Sequence, residues 1–73
     1  MSGPPLLSSH DIIRTLVLFG YSPVKKNISH IHLWNEEKRR LVTVPSHREF
    51  AASTFLSVLG QADIGQQEFL TRE

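Results

Sequence analysis

Two alternating runs, "SHIHLWN" over 29–35 and "RLVTVP" over 40–45, are joined through the polar segment "NEEKR". This pairing constrains the fold more than any other feature of the chain. Period-two alternation is the mark of a half-buried strand. A short polar connection between two such strands makes them an antiparallel hairpin. In the first run Ile31 and Leu33 fall on one face, while His30, His32 and Trp34 fall on the other. In the second, Val42 and Val44 alternate with Thr43. A sheet built on this hairpin buries one face and leaves the other open, and the open face carries the histidines.

The flanking segments supply the layer that covers the buried face. Ser8 and Asp11 form an S-x-x-D pattern, a capping box in front of the apolar positions Ile12, Ile13, Leu16, Val17 and Phe19. Gly20 suits the C′ position, where glycine takes the left-handed conformation without penalty. The pattern predicts a first helix over residues 9–19. Residues 21–26 read as a short strand that belongs on an edge, because Pro23 has no N–H to give to a ladder. After "PSHRE" a second helix is expected from about Ala51 to Leu59, with Phe55, Leu56 and Leu59 apolar and Gly60 ending it. A last short helix closes with Phe69 and Leu70. The order α-β-β-β-α, plus a small terminal helix, indicates an α+β domain. It has a three-stranded antiparallel sheet with the helices on one face. The helical stripes Ile12, Ile13, Leu16, Val17, Phe55, Leu56 and Leu59 are expected core. Residues 1–7, with Gly3, Pro4 and Pro5, read as a flexible lead-in, and residues 8–73 as a single domain.

Composition narrows the function. With 73 residues, a single small domain is all the chain can build. Hydrophobic residues at 40% and charged residues at 21% suit a folded chain rather than a disordered one. There is no cysteine, so disulfides and thiolate metal sites are excluded, and the balance tilts toward the cytosol. No stretch is long and apolar enough to span a bilayer, and "MSGPPLLSS" lacks the basic start of a signal peptide. A net charge of +1 does not by itself mark a nucleic-acid binder. The distribution says more: Lys25 and Lys26 precede the histidine strand, Lys38, Arg39 and Arg40 follow it, and Arg48 comes later.

Side chains two apart on a strand project to the same side. His30 and His32 therefore stand side by side. Imidazoles near neutral pH can take or give a proton. A His-x-His pair can also hold zinc, given a third ligand such as His47 or His10. Trp34 at the end of the same face can stack on an unpaired base or anchor a partner protein, or pack on basic side-chain stems.

Taken in order, "SSHDIIRTLVLFGY", "VKKNISHIHLW", "LVTVPSH" and "FAASTFLSVLGQADIGQQEFL" resemble the HicA family of toxin ribonucleases over about residues 8–70. The combination of Ser29-His30, Val42-Thr43-Val44-Pro45 and Glu68-Phe69-Leu70 carries the resemblance. It implies a fold like that of double-stranded-RNA-binding domains. It also implies cleavage of mRNA by a histidine with no metal or other cofactor, and neutralisation by a HicB-like antitoxin protein. The histidine of the family's Gly-Ser-His run falls on His30. Lys25, Lys26, Ser29, His32, Arg39, Arg40 and His47 are then the candidate RNA contacts, the cations holding phosphate and steadying charge as it develops. Thr43 faces the same side as a possible hydroxyl donor. The chain departs from the family at Ile28, where the family has a glycine suited to a tight turn or a close approach to phosphate. A non-catalytic RNA-binding or protein-interaction module on the same fold is the alternative.

Overall fold

The computed structural model of the chain describes residues 8–46 and 51–72. The elements run α1 (Ser9–Leu18), β1 (Tyr21–Lys26), β2 (His30–Asn35), β3 (Arg40–Pro45), α2 (Ala52–Ala62) and α3 (Gln66–Arg72). The strands form one antiparallel sheet in the order β1-β2-β3. This is the α+β arrangement expected from the alternation. The expected lead-in 1–7 lies outside the described residues.

α1 begins where the capping box predicts. The Ser8 hydroxyl accepts from the Asp11 N–H at 3.3 Å, and the Asp11 carboxylate accepts from the Ser8 N–H at 3.2 Å. The backbone bond to Ser8 comes first among the causes that hold the Asp11 carboxyl below its ordinary range; the Ser8 hydroxyl and nearby Arg14 add to it. The helix ends at Phe19, and Gly20 turns the chain at φ +97°. A side chain at Gly20 would also meet the Asn35 carboxamide, 3.1 Å from where its Cβ would stand. Asn35 is itself buried. It donates to the Phe19 carbonyl and accepts from the Lys38 N–H, so it ties the end of α1 to the β2–β3 turn.

The core lies between the inner sheet face and the helices. Ile31, Leu33, Val42 and Val44 meet Ile12, Leu16, Phe55, Val58, Leu59, Ala62 and Phe69. Burying each of the larger apolar side chains stabilises the fold by about 1.5–3 kcal/mol. Phe69 stacks on Phe19 (centroids 6.2 Å apart) and meets Phe55 edge-on at 5.4 Å, which seats α3. Two expected core positions are exposed, Val17 at 47% and Leu56 at 49%, and Ile13 is only partly buried. On α1 the buried arc instead takes in Thr15, whose hydroxyl donates to the Asp11 carbonyl one turn back and so enters the core satisfied. On α2 the buried set is 55, 58, 59 and 62, one stripe of a 3.6-residue period.

α2 does not stop at Gly60. It runs to Ala62 and is capped by Asp63 in the left-handed conformation at φ 60°. Three contacts hold the extra turn against the sheet. The Tyr21 hydroxyl donates to the Ala62 carbonyl at 2.8 Å, Arg40 donates to the Gln61 carbonyl at 3.2 Å, and the Gln61 side-chain oxygen accepts from the Thr43 N–H at 3.0 Å. These tertiary bonds outweigh the cost of about 1 kcal/mol that glycine brings to a helix interior.

Candidate functional site

The outer face of the sheet follows from the register. His30 pairs with Pro45, His32 with Thr43 and Trp34 with Leu41 across β2–β3, while His32 pairs with Lys25 and Trp34 with Ser22 across β1–β2. Directly paired residues share a face. Lys25, His30, His32, Trp34, Leu41 and Thr43 therefore stand together on the side away from the helices. The two histidines are about 6.6 Å apart along the strand at ~3.3 Å of rise per residue.

The turn before β2 sets the position of His30. The Asn27 side-chain oxygen accepts from the Ser29 N–H at 2.9 Å and from the His30 N–H at 2.8 Å. The Asn27 N–H closes on the His30 carbonyl at 2.9 Å, and the Ser29 carbonyl accepts from Ser46 on the far side. Ser29 thus lies in the turn, one residue before the strand, and its N–H and that of His30 are both engaged. Ile28 at the tip is 96% exposed and does not have positive φ. A β-branched residue therefore fits this turn without backbone strain. Asn27 was not among the expected site residues. An asparagine two residues ahead of a serine at a strand start is the local signature of such an Asx turn.

His32 is half-buried, and its Nδ1 lies 3.0 Å from the Thr43 hydroxyl. Trp34 donates its indole N–H to Glu36 at 2.8 Å, and the Arg39 guanidinium lies over its ring at 5.5 Å while bonding Glu36 at 2.6 Å. Trp34 is therefore already engaged by the Arg39 guanidinium and by Glu36.

The expected cation cluster divides. Lys25 lies on the histidine face, across from His32, and Lys26 pairs with Ile31, so its side chain leaves on the helix side at the same corner of the sheet. Arg39 and Arg40 stand at the other end of the hairpin, about 17 Å along the strand from His30. Arg40 pairs with Asn35 and projects to the helix side, where it caps α2. The Arg39–Arg40 end is therefore out of reach of His30, because antiparallel pairing places it opposite the far end of β2. Lys38 also reaches α2, donating to the Asp63 carbonyl at 3.4 Å. His47 and Arg48 lie outside the described residues. His10 is exposed on α1, in the helical layer. Among the described residues no three histidine or acidic side chains gather as a metal-ligand set.

A sequence model of the family described as HicA toxin of bacterial toxin-antitoxin matches residues 9–64. The chain belongs to the HicA toxin family. The match spans α1, the whole sheet and α2, so it includes every described residue of the histidine face. No curated protein matches the chain in sequence. Members of the family are the toxin halves of toxin–antitoxin systems, and HicA toxins pair with HicB antitoxins. Among the described residues no helix is long and apolar enough to cross a membrane.

Proposed function

We propose that this HicA protein is an endoribonuclease that cleaves mRNA with His30 as its proton-transfer group and without a metal. The observation that carries the reading is the placement of His30. It is exposed at the head of β2, held by the Asn27 turn, on the open sheet face beside His32 and Lys25. RNA supplies its own nucleophile, the 2′-hydroxyl. An imidazole that removes that proton, with a cation near the phosphate, provides the main elements of a transesterification. Lys25 and Lys26 are the cations at that corner, and Ser29 borders it in the turn. Arg39 and Arg40 sit too far along the hairpin to touch the same phosphate. Arg39 beside Trp34 instead suits a contact further along a single strand. His47, two residues after Pro45 in sequence, is retained as a candidate RNA contact. The cytoplasm, where mRNA is translated, is the compartment this reading requires.

The partner in this reading is a HicB-like antitoxin that covers the open face, shielding His30 and presenting acidic groups to Lys25 on that face and to Lys26 at its corner. One observation favours the non-catalytic alternative: Ile28, two residues before His30, is an almost fully exposed apolar side chain, with Val24 58% exposed on the neighbouring strand. Such a rim suits contact with a protein. The two readings separate in one experiment. Cleavage of a defined RNA in the presence of EDTA, together with growth on induction, is measured for the wild type, His30→Ala and Ile28→Gly. The ribonuclease reading expects cleavage and growth arrest with the wild type and the loss of both in His30→Ala. Equal outcomes for wild type and His30→Ala would refute it. A rise in activity with Ile28→Gly would mark the tip residue as an attenuator.

A further inference from the structure

We infer that His32 is the second proton-transfer group of the same site, the acid that protonates the leaving 5′-oxygen, and that Thr43 is its positioning residue. The inference rests on the ribonuclease reading of His30 and extends it to the partner step.

Transesterification moves two protons. The 2′-hydroxyl proton goes to His30 as the 2′-oxygen attacks phosphorus. The P–O5′ bond then breaks, and the departing oxygen takes a proton from another group, leaving a 2′,3′-cyclic phosphate and a 5′-hydroxyl. His30 ends protonated and the donor ends neutral, and exchange with water restores both. The donor must stand beside the base, on the same surface, within about 2.6–3.2 Å of the leaving oxygen once substrate is bound. Among the described residues His32 is the other imidazole on the open face. At about 6.6 Å from His30 along β2, the pair can flank one in-line phosphate.

The surroundings of His32 differ from those of His30 in a way that suits the role. Its Nδ1 is taken up by the Thr43 hydroxyl at 3.0 Å. In the protonated ring both nitrogens donate, so the Thr43 oxygen accepts from Nδ1–H and Nε2–H remains the free donor. After transfer the neutral ring keeps its Nδ1 proton in the same bond. The contact is therefore unbroken through the step, and the tautomer that results is fixed. Thr43 is itself anchored, because its backbone N–H donates to the Gln61 side chain on α2 at 3.0 Å. The ring orientation is thereby tied to the helical layer. Lys25, the cross-strand neighbour of His32, places a cation where the phosphate would lie.

Leaving-group chemistry tests this. Two uridine 3′-phosphodiesters are compared, one with a 5′-nucleoside leaving group and one with p-nitrophenol, which departs without protonation. His32→Ala should slow the nucleoside ester by roughly 10²–10⁴-fold and the p-nitrophenyl ester far less. It should also remove the alkaline limb of the pH–rate profile for the nucleoside ester. His30→Ala should slow both esters. Thr43→Ser should keep the wild-type profile, while Thr43→Val should lower the rate and change the His32 tautomer read by ring-nitrogen NMR. Equal losses on both esters, or none, in a folded His32→Ala protein would overturn the inference and leave the ribonuclease reading standing. A wild type that cleaves neither ester nor RNA would overturn both.

Discussion

The Tyr21 hydroxyl holds the end of α2 to the sheet, and removing it should measure that link. Tyr21 is 1% exposed and its hydroxyl donates to the Ala62 carbonyl at 2.8 Å, while Ala62 is 0% exposed. The carbonyl is one of the last four of the helix, which have no partner within it. In Tyr21→Phe the ring still fills its site, but the carbonyl is left buried without this donor. That costs about 1–3 kcal/mol. For a domain of this size, a loss near the middle of that range lowers Tm by roughly 8–16 °C. The assay is thermal unfolding by circular dichroism, with urea unfolding to check that the slope, and so the surface exposed, is unchanged. A pH signature accompanies it. Burial first, and Asp63 secondarily, push the Tyr21 phenol above its ordinary value of 10.0, against the opposing effect of Arg40. The folded state then holds the phenol proton more tightly than the unfolded chain. This stability is present below pH 10 and is lost as pH rises through the folded pKa. The gap between wild type and Tyr21→Phe should narrow above pH 10. A Tm within a degree of wild type, or a gap that stays constant to high pH, would refute the reasoning.

Lys25→Gln should weaken RNA binding at low salt and reduce the salt slope by about one contact's worth, close to 0.7 for a single strand. Arg40→Gln should instead cost about 0.3–1 kcal/mol of stability, as a lost cation at a helix C-terminus, and leave the salt slope unchanged. Filter binding over a salt series checks both slopes, and urea unfolding checks the stability of Arg40→Gln. Asp63→Gly should stabilise the fold by about 1 kcal/mol in urea unfolding. It relieves the left-handed strain at φ 60° and removes an acid from the negative end of α2.

The sheet and its open face were legible because alternation is a local property. The parity that buries Ile31 and Leu33 also turns His30, His32 and Trp34 outward, whatever the rest of the chain does. The N-terminal cap of α1 was legible for the same reason, since Ser8 and Asp11 act within one turn. The end of α2 was not. Gly60 is a strong local stop, and only Tyr21, Arg40 and Thr43, brought in from the sheet, carry the helix past it. Thr15 replaced Val17 in the core because its hydroxyl finds a carbonyl one turn back, so helical periodicity, not polarity, decided the buried arc. The basic run Lys38-Arg39-Arg40 shows a different limit. Composition marks it as a phosphate-binding patch, yet Arg40 shares its parity with the buried Val42 and Val44, and the antiparallel register carries it to the far end from His30. Lys38 and Arg40 meet the carbonyls at the end of α2, and Arg72 likewise donates to the Leu18 carbonyl of α1 at 3.2 Å. The Asn27 turn was readable from its Asx signature but carries no chemistry of its own, so nothing in a search for reactive side chains points to it.

The bond from Thr43 to Gln61 also bears on how such chains meet one another. A three-stranded sheet exposes two edges, and an open edge is a template on which a second copy can lay a strand. On β3 the Thr43 N–H is already occupied by Gln61, and Pro45 has no N–H to offer. On β1 the ladder is interrupted by the irregularity between Pro23 and Lys25, and Pro23, Lys25 and Lys26 add a missing donor and two charges. Both borders thus resist edge-to-edge stitching into a continuous fibre-like sheet. A small domain built this way can then accumulate without templating its own aggregation, and a protein that docks on it does so through side chains rather than by adding a strand to either edge.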